Sequence, residues 1–232
     1  MRKVLVYGFL AVILGLTVSV AETRAQGVLS DILKRMDDHN KALKSVQADV
    51  TMVKFNSQLN IPDTYSGSTS YLSKTSFGKN YMRLDWIKPA VEQISIIGDD
   101  YELYKPSINQ VYQGKVGKAR TSAGAGNALG FMNMSREQLK ANYTIAYLAD
   151  ENIADKGKTR TFHLLLTPKV AASYKTAELW VDGDGMPRQA KILEQNNDST
   201  TVLLDGIRKN VKVDTSIFRL TYDRKSVKTV KT

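Results

Sequence analysis

Residues 28–46 carry the clearest periodic pattern in the chain. Val28, Leu29, Ile32, Leu33, Met36 and Leu43 recur at steps of three and four, with Asp31, Lys34, Arg35, Asp37 and Asp38 between them. This spacing predicts an amphipathic helix whose apolar stripe must pack on something apolar. From Val46 the period falls to two, because Val46, Ala48, Val50 and Met52 alternate with Gln47, Asp49 and Thr51. Tyr65, Gly67, Thr69 and Tyr71 follow the same rhythm after an expected turn at Ile61-Pro62-Asp63. Further short strands are predicted at 81–87, 91–97, 101–104 and 110–113, separated by the turn signals Lys88-Pro89, Gly98-Asp99-Asp100 and Lys105-Pro106-Ser107. Short strands at such regular spacing describe an antiparallel meander that curls toward a barrel or a sandwich.

Residues 114–130, rich in Gly, Ala, Ser and Lys, interrupt the meander and read as a flexible loop. Leu129, Phe131, Met132 and Met134 follow, and then Ser135-Arg136-Glu137-Gln138-Leu139, where Ser135 and Gln138 have the spacing of a capping box at the start of a short helix. Strands resume at 143–148, 161–167, 177–181, 188–194, 200–204 and 218–222, with Asp182-Gly183-Asp184-Gly185 as a hairpin turn. Residues 224–232 are basic and expected to be loose. No domain boundary or internal repeat stands out, so residues 26–232 read as one domain.

The first 25 residues belong to a different pattern. Arg2 and Lys3 precede an apolar, uncharged run from Phe9 to Ala21, and small residues follow at Ser19-Val20-Ala21 and Thr23-Arg24-Ala25. A basic start, a short apolar run and a small-residue site describe a secretory signal peptide. The run of 13 residues is short of the roughly 20 that a spanning helix needs, which disfavours an uncleaved anchor. Cleavage is expected between Ala25 and Gln26. Three basic residues and one acid (Arg2, Lys3, Arg24 and Glu22) then leave, and the net charge falls from +10 to +8. An exported chain seldom meets nucleic acid, so this basic excess points to anionic headgroups instead. The chain is expected to be exported.

Composition removes several classes of chemistry. With 42% hydrophobic and 24% charged residues the chain is ordinary for a folded protein. It has no cysteine, which excludes disulfides, thiolate metal sites, a cysteine nucleophile and a lipid-modified N-terminal cysteine. The two histidines, His39 and His163, lie in no G-x-S-x-G or H-E-x-x-H context and read as structural or exposed. Asp182-Gly183-Asp184-Gly185 could open a calcium loop, but the next acid, Glu194, falls inside a predicted strand, which favours the hairpin. The glycine-rich stretch lacks the GxxxxGK[ST] order of a phosphate loop. A hydrolase has no supporting motif, and the chain is expected to be neither an enzyme nor a holder of a cofactor or metal.

The apolar pattern is the informative signal. Met52, Met82, Leu84, Trp86, Ile94, Ile96 and Leu103 share one face of the first meander, and the helix stripe together with Leu129, Phe131, Met132 and Met134 could cover it. In a sandwich these residues are core. In an incomplete barrel they line a cavity for an acyl chain, for which methionine, an adaptable apolar surface, is well suited. Composition does not separate the two.

The order of the pieces resembles that of the periplasmic lipoprotein carrier family, the LolA-like outer-membrane lipoprotein-sorting proteins. The resemblance runs from the helix 29–46 into the strand 47–55, through Tyr65-Ser66-Gly67-Ser68, and is best at Met82-Arg83-Leu84-Asp85-Trp86-Ile87-Lys88-Pro89, which looks like that family's R-x-x-W-x-x-P strand and turn. Ile96-Ile97-Gly98-Asp99, Tyr104-Lys105-Pro106-Ser107-Ile108-Asn109-Gln110-Val111, Leu164–Lys169, Leu179–Asp182, Met186-Pro187-Arg188 and Phe218 continue it. The resemblance implies an α+β, mainly antiparallel fold: an unclosed half-barrel of about eleven strands with a helical lid over a hydrophobic cavity. It implies the periplasm as the compartment, and a monomeric carrier that takes acyl chains of a lipoprotein, or another lipid, from an inner-membrane exporter to an outer-membrane acceptor. A sensor of lipid or mislocalised lipoprotein in envelope-stress signalling is the alternative use of the same fold. The family's lid-holding arginine would correspond to Arg83, with Lys79 as a rival.

Overall fold

The computed structural model describes residues 26–115 and 134–231. The first helix, α1, spans residues 26–42. Three i,i+4 ion pairs run along its solvent side, Asp31–Arg35, Lys34–Asp38 and Asp37–Lys41, and each adds a few tenths of a kcal/mol. The helix ends sooner than its stripe suggests, because Ser45 already pairs in a strand.

Strands β1 (Ser45–Asn56) and β2 (Ile61–Leu72) form a long hairpin. The turn expected at 61–63 therefore lies earlier, at residues 57–60, and Ile61-Pro62-Asp63 belong to β2. A one-turn helix α2 (Lys74–Phe77) leads to β3 (Tyr81–Lys88), β4 (Glu92–Ile97), β5 (Asp100–Lys105) and β6 (Gln110–Lys115). After the undescribed stretch comes α3 (Arg136–Asn142), which has the capping box that its sequence predicts. Ser135 Oγ accepts from the Gln138 N–H, and Gln138 Oε1 accepts from the Ser135 N–H. Then follow β7 (Tyr143–Asn152), β8 (Arg160–Pro168), β9 (Tyr174–Asp182), β10 (Pro187–Glu194) and β11 (Ser199–Lys209).

The C-terminal region departs from expectation in two ways. Residues 218–222 are not a strand: Phe218 closes a 3-10 turn, Thr215–Phe218, that opens a segment lying against the sheet. The basic end is not wholly loose, because β12 (Lys228–Lys231) pairs in parallel with β6. The result is one twelve-stranded sheet in the order β12-β6-β5-β4-β3-β2-β1-β11-β10-β9-β8-β7, antiparallel except at β12. Its two outermost strands, β12 and β7, do not meet, so the sheet is an unclosed barrel of twelve strands rather than about eleven.

Register places every second residue on one face. Met52 faces Tyr65 and Val202, Trp86 faces Gly67, Leu84 faces Thr69 and Ile94, Ile94 faces Leu103, and Leu179 faces both Leu164 and Ala190. With Tyr147 of β7 opposite Leu164, these put one largely apolar face across the sheet from β7 to β5, with Gly67 and Thr69 of β2 within it. We call it the concave face, because α1 lies over it. At Gly67 a Cβ would come within 2.0 Å of the Asp85 carbonyl oxygen, so glycine permits β2 and β3 to approach closely beside Trp86. Among the described residues no helix is long and apolar enough to cross a membrane.

Candidate functional site: the helix-covered concave face

The stripe on α1 performs the packing that its spacing demands. Ile32, Leu33 and Met36 are each 1% exposed and sit in one cluster with Val50, Met52, Leu84, Trp86, Leu164, Leu179, Ala190 and Val202. Leu139 of α3 joins the same cluster, with Met134 packed at its margin. Full burial of an aliphatic side chain is worth about 1.5–3 kcal/mol, so the three helix residues alone hold α1 firmly to the sheet.

The sequence-chosen cavity residues separate into two groups. Met52, Leu84, Trp86 and Leu103 are almost wholly buried and act as core in this closed arrangement. Met82, Ile94 and Ile96 lie on the same face but are only half-buried, and the first two pack against the edge of the cluster. Leu129, Phe131 and Met132, the other expected lid residues, lie outside the described residues, as does the expected signal peptide. Tyr65 and Tyr71, which the sequence alternation places on one side of β2 without a cavity role, extend the face. Tyr65 meets Trp86 edge-on at 5.8 Å, and burial pushes the Tyr71 hydroxyl pKa up.

Arg83 does not hold a lid over this face. In β3 it alternates with Met82 and Leu84 and so points to the opposite, convex side. There its guanidinium pairs with Asp85 and donates to the carbonyl of Ile217. It fastens the C-terminal segment, not a cover on the concave face. Lys79 is no substitute, since it borders a convex-side cleft of about 460 Å³ together with Ser95, Phe218 and Arg219.

The groups that do tie α1 to the sheet come from residues to which sequence reading gave no such role. Arg35 donates to the Gly183 carbonyl at 3.2 Å and lies 5.8 Å over the Phe162 ring. Asn40 donates to the Met134 carbonyl at 3.2 Å. The Asp182–Met186 turn is the expected hairpin: Asp182 Oδ1 accepts the N–H groups of Asp184 and Met186, and Gly185 adopts a φ of +87°. A Cβ at Gly185 would lie 2.3 Å from the backbone carbonyl of Arg35, so the turn touches the helix directly. His39, also on α1, has a buried Nε2 with no partner. Burial, and then the charge of Lys209, hold its pKa below the ordinary histidine value, against the opposing pull of Asp182 and Asp184.

The other histidine lies on the convex side. His163 stacks on Trp180 at 4.1 Å, with Nδ1 2.8 Å from Glu151 and Nε2 2.8 Å from Glu178, and so ties β7, β8 and β9 together. Among the described residues no group of three or more His, Asp or Glu side chains is placed to hold a metal ion. Among the described residues the concave face offers apolar surface and aromatic edges.

An open antiparallel half-barrel with a helix seated on its apolar concave face defines the class of fold. The sequence model described as outer membrane lipoprotein carrier protein LolA matches residues 80–221, more than half of the chain, and the chain belongs to that family. A comparison with curated proteins finds no match. Among solved structures, an uncharacterized conserved protein of Thermus thermophilus is similar over 88% of this chain and 99% of its own, at 11% identity and a TM-score of 0.56. A chain of the Pseudomonas aeruginosa MucA/MucB complex is similar over 83% of this chain, at 16% identity and a TM-score of 0.52. The present chain spans 60% of that chain's length. At such identities these likenesses establish the fold alone.

Proposed function

We propose that the protein is an exported, periplasmic carrier that shields the acyl chains of a lipoprotein or lipid beneath α1 and moves them from an inner-membrane exporter to an outer-membrane acceptor. The observation that carries this reading is the continuity of the apolar concave face beyond the residues that α1 buries, out to the half-buried Met82, Ile94 and Ile96. An acyl chain costs about 0.8 kcal/mol per methylene to expose to water, so crossing an aqueous gap unshielded is prohibitive. When α1 lifts, Ile32, Leu33 and Met36 leave an apolar surface that an acyl chain can take over, and one apolar burial substitutes for another. Loading then needs no covalent chemistry, no cofactor and no second subunit.

The test is titration of residues 26–232 with a fluorescent fatty acid, beside native mass spectrometry of the protein purified with its lipid. Saturable binding and a co-purified lipid mass are expected. An empty protein that also fails to bind the probe refutes the carrier reading. Leu84 is a poor position for a charge, since it is core here and glutamate would unfold the sheet. Ile94→Glu is the better probe: at half-buried Ile94 it should weaken fatty-acid binding about tenfold or more while the fold persists.

A second reading is a periplasmic sensor that binds lipid and reports it to a protein partner. The fold likeness to a chain of the MucA/MucB complex favours it. Acyl binding without delivery of the lipid to acceptor vesicles would select the sensor over the carrier.

A further inference from the structure

The two ends of the sheet differ sharply in what they show to water. Register brings the β1–β2, β3–β4, β5–β6, β8–β9 and β10–β11 turns to one end, together with the start of β12. Nine large hydrophobic side chains are exposed among the described residues, and six of them stand at this end. They are Leu59, Ile61, Ile87, Val91, Ile108 and Val170, each between 50% and 76% exposed. At the β3–β4 turn all five residues of Ile87-Lys88-Pro89-Ala90-Val91 are exposed. The opposite end gathers the 73–80, 98–99, 153–159 and 182–186 turns, carries exposed Lys74, Lys79, Lys156 and Lys158 beside exposed Asp99 and Asp184, and among the described residues exposes one large hydrophobic side chain, Phe77.

Five lysines gather at the apolar end, beside the exposed acids Asp63 and Asp223. Lys88, Lys169 and Lys175 stand on or beside the same turns, and Lys225 and Lys228 flank Ile108, since Asn109 bonds both the Ser226 carbonyl and the Lys228 N–H. None of these five lysines pairs with a carboxylate among the described residues. Lys169 and Lys175 bond a carbonyl and an amide oxygen instead. The nearby acids are partly engaged: Glu92 pairs with Lys105 at 2.9 Å, and Asp198 accepts the Ser57 N–H at 2.8 Å.

We infer that this end of the half-barrel docks on an anionic lipid bilayer, with the aliphatic turn residues entering the interface and the lysines meeting phosphate headgroups. Aliphatic side chains standing on separate turn tips suit a fluid interface, which accepts them one at a time. A lysine near an anionic surface contributes about 1 kcal/mol, so several of them with a few shallow anchors give reversible attachment. The polar opposite end would face the aqueous phase. This inference concerns the outside of the sheet and does not depend on acyl binding at the concave face.

The absence of cysteine makes single-site labelling clean. Residues 26–232 carrying Val91→Cys or Phe77→Cys, each with an environment-sensitive dye, are mixed with phosphatidylethanolamine–phosphatidylglycerol vesicles and with phosphatidylcholine vesicles, and attachment is measured by flotation. A blue shift at position 91 and none at 77, flotation with the anionic vesicles only, and release by salt are expected. The unlabelled double variant Ile87→Ser/Val91→Ser should float about tenfold less well, with its circular dichroism and denaturation midpoint unchanged. Equal responses at both positions, equal flotation of the double variant, or a position-91 shift that grows with protein concentration without vesicles (self-association) would each overturn the inference. Vesicle docking by a protein that binds no fatty acid would leave it standing while the carrier reading fell.

Discussion

The two halves of the sheet are closed from opposite sides. Over β1 and β7–β11 the cover is α1, which lies on the concave face and is held by Ile32, Leu33 and Met36 with a few surface bonds. Over β3–β6 the cover lies on the convex face and is the chain after β11, which buries Phe218, Leu220 and Val227. Phe218 stacks near Tyr81 at 5.4 Å, Tyr222 near Tyr104 at 5.1 Å, Ser95 donates to the Phe218 carbonyl, and Arg83 to that of Ile217. The convex cover is tied at both ends, by β11 before it and β12 after it. The concave cover is tied to the sheet at its C-terminal end, where it runs into β1. A closure secured at both ends and by buried polar bonds is structural, while one secured mainly by interchangeable apolar contacts can yield to an apolar ligand. The asymmetry puts the cover that is held mainly by apolar contacts over the concave face.

The largest effect should come from breaking the fixed cover. Phe218 is fully buried, and Phe218→Ala is expected to cost about 3–5 kcal/mol in chemical denaturation, as large-to-small core substitutions do. The loss should appear in hydrogen exchange across β3–β6, while protection of α1 falls only with global stability. Loosening confined to α1 would invert the comparison.

Gly185→Ala tests the α1 cover where the 182–186 turn meets the Arg35 backbone. A Cβ there would lie 2.3 Å from the Arg35 carbonyl, and the φ of +87° is itself unfavourable for alanine. Strain of about 1–3 kcal/mol is expected, relieved by moving α1 away from the turn. Amide protection over residues 26–42 should drop about ten- to hundredfold, with little change around Phe218, and fatty-acid uptake should quicken. Unchanged α1 protection would show that the turn, not the helix, absorbs the strain.

Much of this arrangement was legible in the chain because side-chain period reports which face is buried. The stripe Ile32, Leu33, Met36, the alternation of Met52, Leu84 and Trp86, and the Ser135–Gln138 cap all appear where their spacing put them. The misplaced pieces share a cause, for each depends on backbone pairing that composition does not record. Pro62 suggested a turn, yet Ile61–Tyr65 pairs with β1 alone, where a missing N–H on the open side costs no ladder bond. Phe218 looked like a strand residue because burial under a crossing segment and burial within a sheet leave the same local signature. Arg83 is different: its alternation with Leu84 already places it on the far face, a signal that the likeness to a lid-holding arginine obscured. The exposed aliphatics at the turn tips lie far apart in the chain, and only the strand order brings them to one end.

The smallest effect would sharpen the comparison through pH. His39 lies on α1 with its Nε2 buried and unpartnered, and burial, then Lys209, hold its pKa below the ordinary value near 6.5. Asp182 and Asp184 oppose this without reversing it. With the docked pKa depressed, both states are neutral above about 6.5 and docking keeps its full strength. As pH falls below that value the released helix takes up the proton first, so docking weakens until the pH passes the docked pKa. Exchange rates over residues 26–42, corrected for the intrinsic pH dependence of amide exchange, should therefore rise between neutrality and mild acid while those around Phe218 hold steady. His163 sits between Glu151 and Glu178 on the convex side, so His39→Gln separates the two histidines. That variant should abolish the pH response of α1, and a response that survives it would place the titrating group elsewhere.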